Sequence, residues 1–269
     1  MKYYLSLPFC ITMLVATISC HEKDPAPALC KPHVLTYTHD SIIYNYESER
    51  IKTVAYYISG IQTNQDQFEY TGDFLTGLSK ITMEFDGTQT LDVYYTIHYD
   101  NQGKPDSLFS DSYAGHFETY FTHENGRLTT ATTVSGIAQV FFVGTTRYEF
   151  NNDGNVPKVF YTIRQNGVKT EVLARENLSF DDSEKFYANT PELRIVDEYV
   201  YGYLPGNNNC LSSTVYYYSY AQHFAAPQSV SFTSAYNDQG LIQTLQYEGT
   251  PTQLNSGEVL FNKVSYSCN

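Results

Sequence analysis

The chain has 269 residues, with 29 Asp and Glu against 16 Lys and Arg, and a formal net charge of −13. It holds 26 Tyr and 16 Phe, which excludes a disordered chain, since such chains are poor in aromatic and β-branched residues. The acidic balance also counts against nucleic-acid binding, because a negative surface repels phosphate.

Residues 1–19 read as a secretory signal. Lys2 supplies the positive start, and Leu5 to Ile18 form a largely apolar stretch. That stretch is shorter than the ~20 apolar residues a spanning helix needs. It closes on Thr17-Ile18-Ser19-Cys20, which resembles a bacterial lipobox. The resemblance implies a lipid on Cys20, and hence a membrane as the partner of the mature N-terminus. Residues 20–33 then read as a flexible tether, charged first and afterwards rich in Pro and Ala. An acid and a Lys just after the Cys also resemble the surface-export signals of Bacteroidota lipoproteins. The implied location is the outer membrane, facing the periplasm or the cell surface.

In that oxidising compartment Cys30, Cys210 and Cys268 can form at most one bridge. Cys30 and Cys268 lie near the two ends of the domain, and chain ends often meet in compact folds. Position therefore favours that pair, with Cys30–Cys210 the alternative. No CxxC and no Cys/His ladder is present, so neither a metal nor a cofactor is expected.

The remainder, residues 34–269, reads as one β-repeat domain. From Leu91 to Tyr99 the odd positions are Leu91, Val93, Tyr95, Ile97 and Tyr99, against Asp92, Thr96 and His98. Such alternation marks half-buried strands. Val159, Tyr161 and Ile163 alternate with Lys158, Thr162 and Arg164, although Phe160 falls on the polar face. The runs Val140–Val143 and Val215–Tyr218 suggest strands covered on both faces. Turns recur as an aromatic, three polar residues and Gly: Tyr99 to Gly103, Phe150 to Gly154, Tyr236 to Gly240. Phe121 to Gly126 carries one insertion, and weaker copies follow Tyr46 and Tyr70. The Gly supplies positive φ in a tight hairpin turn. One helix is expected at 190–204, with Thr190 at the cap, Pro191 at its first position and Pro205-Gly206 as its stop. The fold class is therefore mostly β: an antiparallel meander of about a dozen strands, strongly curved or barrel-like, with one short helix.

These Tyr-(Asp/Asn)-x-x-Gly turns resemble the YD/Rhs-type hairpin repeats of uncharacterised Bacteroidota lipoproteins. Some of those are grouped as a domain of unknown function with a porin-like fold. Phe180 to Tyr187, followed later by Asn207-Asn208-Asn209, is similar to a degenerate unit of the same proteins. The usual Lys-Asn-Pro is missing here. The resemblance implies a barrel-like shape and no particular activity. A water-soluble barrel on a tether is expected, because polar Thr, Asn, Asp and Gln recur along the strands and the chain ends Ser265 to Asn269 without a terminal aromatic.

Signals for chemistry are few. His116, Glu118, His123 and Glu124 lie close in sequence, but no ligand spacing fixes a metal site. The turns Asp100 to Gly103 and Asn151 to Gly154 offer oxygen ligands without the EF-hand alternation, and Asx side chains stabilise turns in any case. Gly-x-Ser-x-Gly, GxGxxG and Walker motifs are absent. Tyr216, Tyr218 and Tyr220, with Tyr199, Tyr201 and Tyr203, could form an aromatic platform for a glycan or protein. Cross-strand aromatic pairing is the competing use of those rings. The expected function is a non-catalytic binding or surface-structural lipoprotein. The alternative is a secreted hydrolase using carboxylates, or the His116/His123 region, not identifiable from sequence.

Overall fold

The computed structural model describes residues 30–112, 115–137, 140–165, 168–216, 227–248 and 262–268. Residues 1–29, including Cys20 and the segment expected to be a signal, lie outside them. The first eight strands are β1 (Cys30–Thr36), β2 (Asp40–Glu47), β3 (Arg50–Ile58), β4 (Ile61–Thr71), β5 (Phe74–Met83), β6 (Gln89–Tyr99), β7 (Pro105–Ser112) and β8 (Gly115–Glu124). Then follow β9 (Arg127–Ile137), β10 (Val140–Glu149), β11 (Lys158–Gln165) and β12 (Val168–Glu184). A helix α1 (Pro191–Ile195) leads into a π-helical turn, Val196–Val200. The last strands are β13 (Asn208–Val215), β14 (Gln228–Tyr236), β15 (Ile242–Tyr247) and β16 (Lys263–Cys268).

From β1 to β15 each strand pairs antiparallel with its sequence neighbour, and β16 pairs back onto β1, giving one 16-stranded sheet. β15 meets β16 through side chains: the Tyr266 hydroxyl donates to the Ile242 carbonyl at 2.8 Å, and Gln246 to Asn262 at 3.4 Å. The result is a nearly closed barrel. Cys30 and Cys268 face each other across β1 and β16 and are joined by a disulfide, while Cys210 is a buried thiol. Cys30 to His33, read above as part of the tether, belong to β1.

Sixteen strands exceed the dozen expected because several hairpins turn in only two residues. Ser48 and Glu49 both take positive φ (49° and 69°), as do Asn125 and Gly126 (52° and 83°). That is the turn whose twist matches paired strands. Near the same rim a register shift falls just before or at the repeated aromatic: at Asn45/Tyr46, Glu69/Tyr70, His98/Tyr99 and Ala235/Tyr236. A bulge leaves a backbone group unpaired, and phenols close the gap. Tyr46 donates to the Pro32 carbonyl, Tyr70 to Ile51 and Tyr99 to Leu75, each at 2.7 Å. Tyr266 makes the same tie across the β15/β16 seam. Burial raises all four phenol pKa values, to about 12 for Tyr46 and Tyr99.

Inward positions form the core and outward ones are mainly polar. On β4, Phe68 and Asp66 are buried, while Thr63, Gln65, Gln67 and Glu69 alternate with them. The helical segment lies inside. Leu193, Val196 and Leu204 join Leu35, Leu78, Phe121, Tyr148 and Val230 in one apolar cluster drawn from all around the sheet. The helix ends four residues before 204, and Thr190 caps it through its backbone carbonyl rather than its hydroxyl. Two other expectations fail locally. Leu91 lies beyond a bulge at Lys80/Ile81 and is exposed, and Val143 is exposed too, so its run is not covered on both faces. Tyr217 and Tyr218 lie outside the described residues.

Replacing Tyr99 with Phe should remove one tie and leave the Leu75 carbonyl unsatisfied, costing about 1–3 kcal/mol. Urea denaturation measures it; an unchanged midpoint would show that the tie contributes nothing.

Candidate functional site

The residues singled out by sequence are scattered. Tyr216 follows β13, half-buried, its amide bonded to the Ala174 carbonyl at 2.9 Å. Tyr218 and Tyr220 lie outside the described residues. Tyr199, Tyr201 and Tyr203 belong to the internal plug rather than to a surface platform. His116 and Glu118 share the outer face of β8, whereas His123 sits beyond a bulge at Thr122/His123 and bonds the Tyr199 hydroxyl at 2.9 Å. Burial and the nearby Lys104 lower the His123 pKa. The His116/His123 cluster is thus taken apart by the fold, and no group of three His, Cys, Asp or Glu that could hold a metal occurs among the described residues.

Inside the barrel, Tyr201 is fastened to Asp66. That carboxylate accepts from the Tyr56 hydroxyl at 2.7 Å and from the Tyr201 hydroxyl. Lys80 stacks 4.6 Å from the Tyr201 ring centroid. Asp66 is 1 % exposed, and its other oxygen has no hydrogen-bond partner. Burial raises its pKa, against the opposing pull of Lys80 and the two phenols. Glu198 is also buried and pairs with Arg194 at 2.9 Å. A carboxylate so enclosed, with phenols as its donors, fastens one element to another.

The outer face over β6–β8 is different. Alternation places Tyr95, Ile97, Leu108 and Phe121 inward, which turns Tyr94, Thr96, Phe109, His116, Glu118 and Tyr120 outward. Thr96 opposes Phe109, which opposes Glu118, and Thr96 opposes Gly77, which opposes Glu69. One row thus crosses five strands with a carboxylate at each end. Tyr94 lies across Gly77, where an added Cβ would stand 2.7 Å from its hydroxyl, and donates to Glu69 at 3.0 Å. Tyr120 is 46 % exposed and donates to Glu118 at 2.5 Å. The rings pack edge to face, His98 on Phe109 at 5.1 Å and Phe109 on Tyr120 at 6.5 Å. Tyr94, Phe109, Asp111, His116 and Glu118 line a groove of about 200 Å³. Rings held by neighbours and carboxylates held by phenols form a surface that can receive a ligand with little loss of side-chain entropy.

Sequence reasoning passed over this row, although a signal was present. Tyr94-Tyr95, Leu108-Phe109 and Tyr120-Phe121 are apolar or aromatic doublets within alternating strands. One member of each doublet must face water.

No family model and no curated protein matches this chain. Among solved structures it is similar to a porin-like protein from Bacteroides uniformis, a crystal structure at 2.32 Å resolution. The identity is 11 % and the TM-score 0.47, over 91 % of this chain and 99 % of that one.

The Asp66 latch predicts a pH dependence. Its folded pKa is raised, so between the ordinary carboxylate value and the raised one the folded state binds more protons than the unfolded state. Stability contributed there falls as pH rises through that window. Asp66→Asn should therefore gain stability relative to the parent at pH 7 compared with pH 4, read from urea midpoints. Equal differences at both pH values would contradict the assignment.

Proposed function

We propose that this protein is a non-catalytic binding module of the cell envelope, tethered by a lipid on Cys20, whose outer β6–β8 face receives its ligand. The observation that carries this reading is the outward row of Tyr94, Phe109 and Tyr120, with Phe109 and Tyr120 packed edge to face and both hydroxyls bonded to glutamates on the outer sheet face. Exposed aromatic clusters rimmed by polar groups mark interaction sites. Enclosure of the buried acids supports binding over hydrolysis. The apolar interior, filled by the protein's own helical segment, supports a water-soluble barrel, since a lipid-facing one needs its apolar band outside.

Two measurements test the proposal. Cys20→Ser should release folded protein from membranes; protein that stays integral after this change refutes the tether. Phe109→Ala combined with Tyr120→Ala should weaken capture of envelope glycans or proteins at least tenfold while leaving the circular-dichroism spectrum unchanged. Undiminished capture would place the binding face elsewhere.

A further inference from the structure

Among the described residues, six basic side chains lie over aromatic rings: Lys31 on Tyr46, Arg50 on Tyr70, Lys80 on Tyr201, Arg127 on Phe150, Arg147 on Phe160 and Lys185 on Tyr187. The Arg147 site shows the full arrangement on the outer face. Arg147 on β10 is the direct cross-strand neighbour of Phe160 on β11, and its guanidinium lies 4.1 Å from the ring centroid. Glu171 grips it twice at 2.8 Å and Glu149 once at 3.0 Å. The site is a ring, two carboxylates and a guanidinium seated among them.

The β6–β8 row repeats the ring but arranges its carboxylates differently: His116 and His98 stand where Glu171 and Glu149 stand, and Glu118 lies directly opposite Phe109. Phe109 stands where Phe160 stands, with Glu118 on the next strand of the same row, Asp111 two residues along its own strand, and Glu69 three strands away at the far end of the row. The position matching Arg147 is Thr96. Among the described residues, no Lys or Arg pairs with Glu69, Asp111 or Glu118, and none lies over Tyr94, Phe109 or Tyr120. The row thus offers a ring with carboxylates beside it and no cation of the protein's own among the described residues.

We propose that this row binds an arginine side chain of a partner protein, presented on an extended segment across the strands. The proposal rests on the outer face being the binding face. A guanidinium fits better than an ammonium, because it is planar, stacks on the ring and bonds carboxylates in a fork. The charge complements that of the chain, which carries −13.

The test uses the full chain and a labelled ten-residue peptide alternating Arg and Thr, with Lys/Thr, Glu/Thr and Ser/Thr versions as comparisons, read by fluorescence anisotropy. The Arg peptide should bind at least tenfold tighter than the Ser and Glu versions and several-fold tighter than the Lys version. Glu118→Gln and Phe109→Ala should each weaken it at least fivefold. Thr96→Arg should place the protein's own guanidinium over Phe109, the cross-strand position that Arg147 takes over Phe160. It should abolish peptide binding without lowering the urea midpoint, which separates occupancy from misfolding. Arg-peptide binding that ignores Thr96→Arg and Glu118→Gln overturns the proposal, as does equal affinity for all four peptides. If none of these peptides binds but another ligand is lost on Phe109→Ala, the arginine assignment fails while the face survives as a binding surface. A ligand indifferent to Phe109→Ala and Tyr120→Ala removes both.

Discussion

A sheet of sixteen strands encloses more room than its own inward side chains fill, and the architecture follows from that mismatch. Barrels of about eight strands pack solid, whereas those of sixteen leave an aqueous lumen unless something occupies it. Here the inward positions are apolar enough that water would be a poor filling, with Leu35, Leu78, Ile97 and Leu108 almost wholly buried. The connection between β12 and β13 supplies the filler. Leu193, Val196 and Leu204 complete the apolar cluster, while Tyr199 sets its ring edge-on to Phe121 at 4.8 Å. The filling is not wholly apolar, and the polar groups that come with it are held by Asp66, Tyr56, Lys80 and His123 on the wall. Asp66 is costly to bury, and its phenol bonds offset part of that cost.

The repeated aromatics show how one rim is held while the chain meanders. Where the residue is Tyr, at 46, 70, 99 and 266, its hydroxyl ties a strand to the preceding one near a bulge or a seam. Where it is Phe, at 121, no hydroxyl is available and the ring packs against the plug instead. The repeat is not uniform: Tyr236 hydrogen-bonds instead to Asp181 and Ser234, and Phe150 lies under Arg127. The seam between β15 and β16 uses the same tie as a hydrogen-bonded hairpin, so the barrel is closed there by a side chain where a ladder would serve elsewhere.

Much of this was legible in sequence because it depends on local rules. Alternation from Val93 to Tyr99, the polar turns and the Thr190-Pro191 start all express preferences of the residues themselves. Leu91 and Val143 misled for a physical reason. One bulge at Lys80/Ile81 carries Leu91 past the covered part of the sheet, and Val143 faces outward on a barrel whose outside is bare. The plug was legible as a helix but not as an interior element, since nothing local reports what surrounds it. The outer row was legible only as a violation. Tyr94, Phe109 and Tyr120 each break alternation beside a residue that obeys it, and a single sequence does not say which of the two faces water.

That violation separates the outer row from the rest of the surface. Phe160 breaks alternation in the same way, yet the protein covers it with Arg147 and neutralises the carboxylates that hold the guanidinium. With only 16 basic residues for 29 acidic ones, such covers are scarce, and where they fall indicates which rings the fold itself must shield. At Phe109 the opposing residue is Thr96, too short to reach across the ring, and the flanking glutamates take only phenol donors from Tyr94 and Tyr120. Those bonds orient the carboxylates without neutralising them. A ring left uncovered between oriented, uncompensated negative charges adds little to the stability of the barrel. On the proposed reading, its energetic value lies in what an incoming guanidinium would gain there, because the ring and the oriented Glu118 beside it are in place before anything arrives.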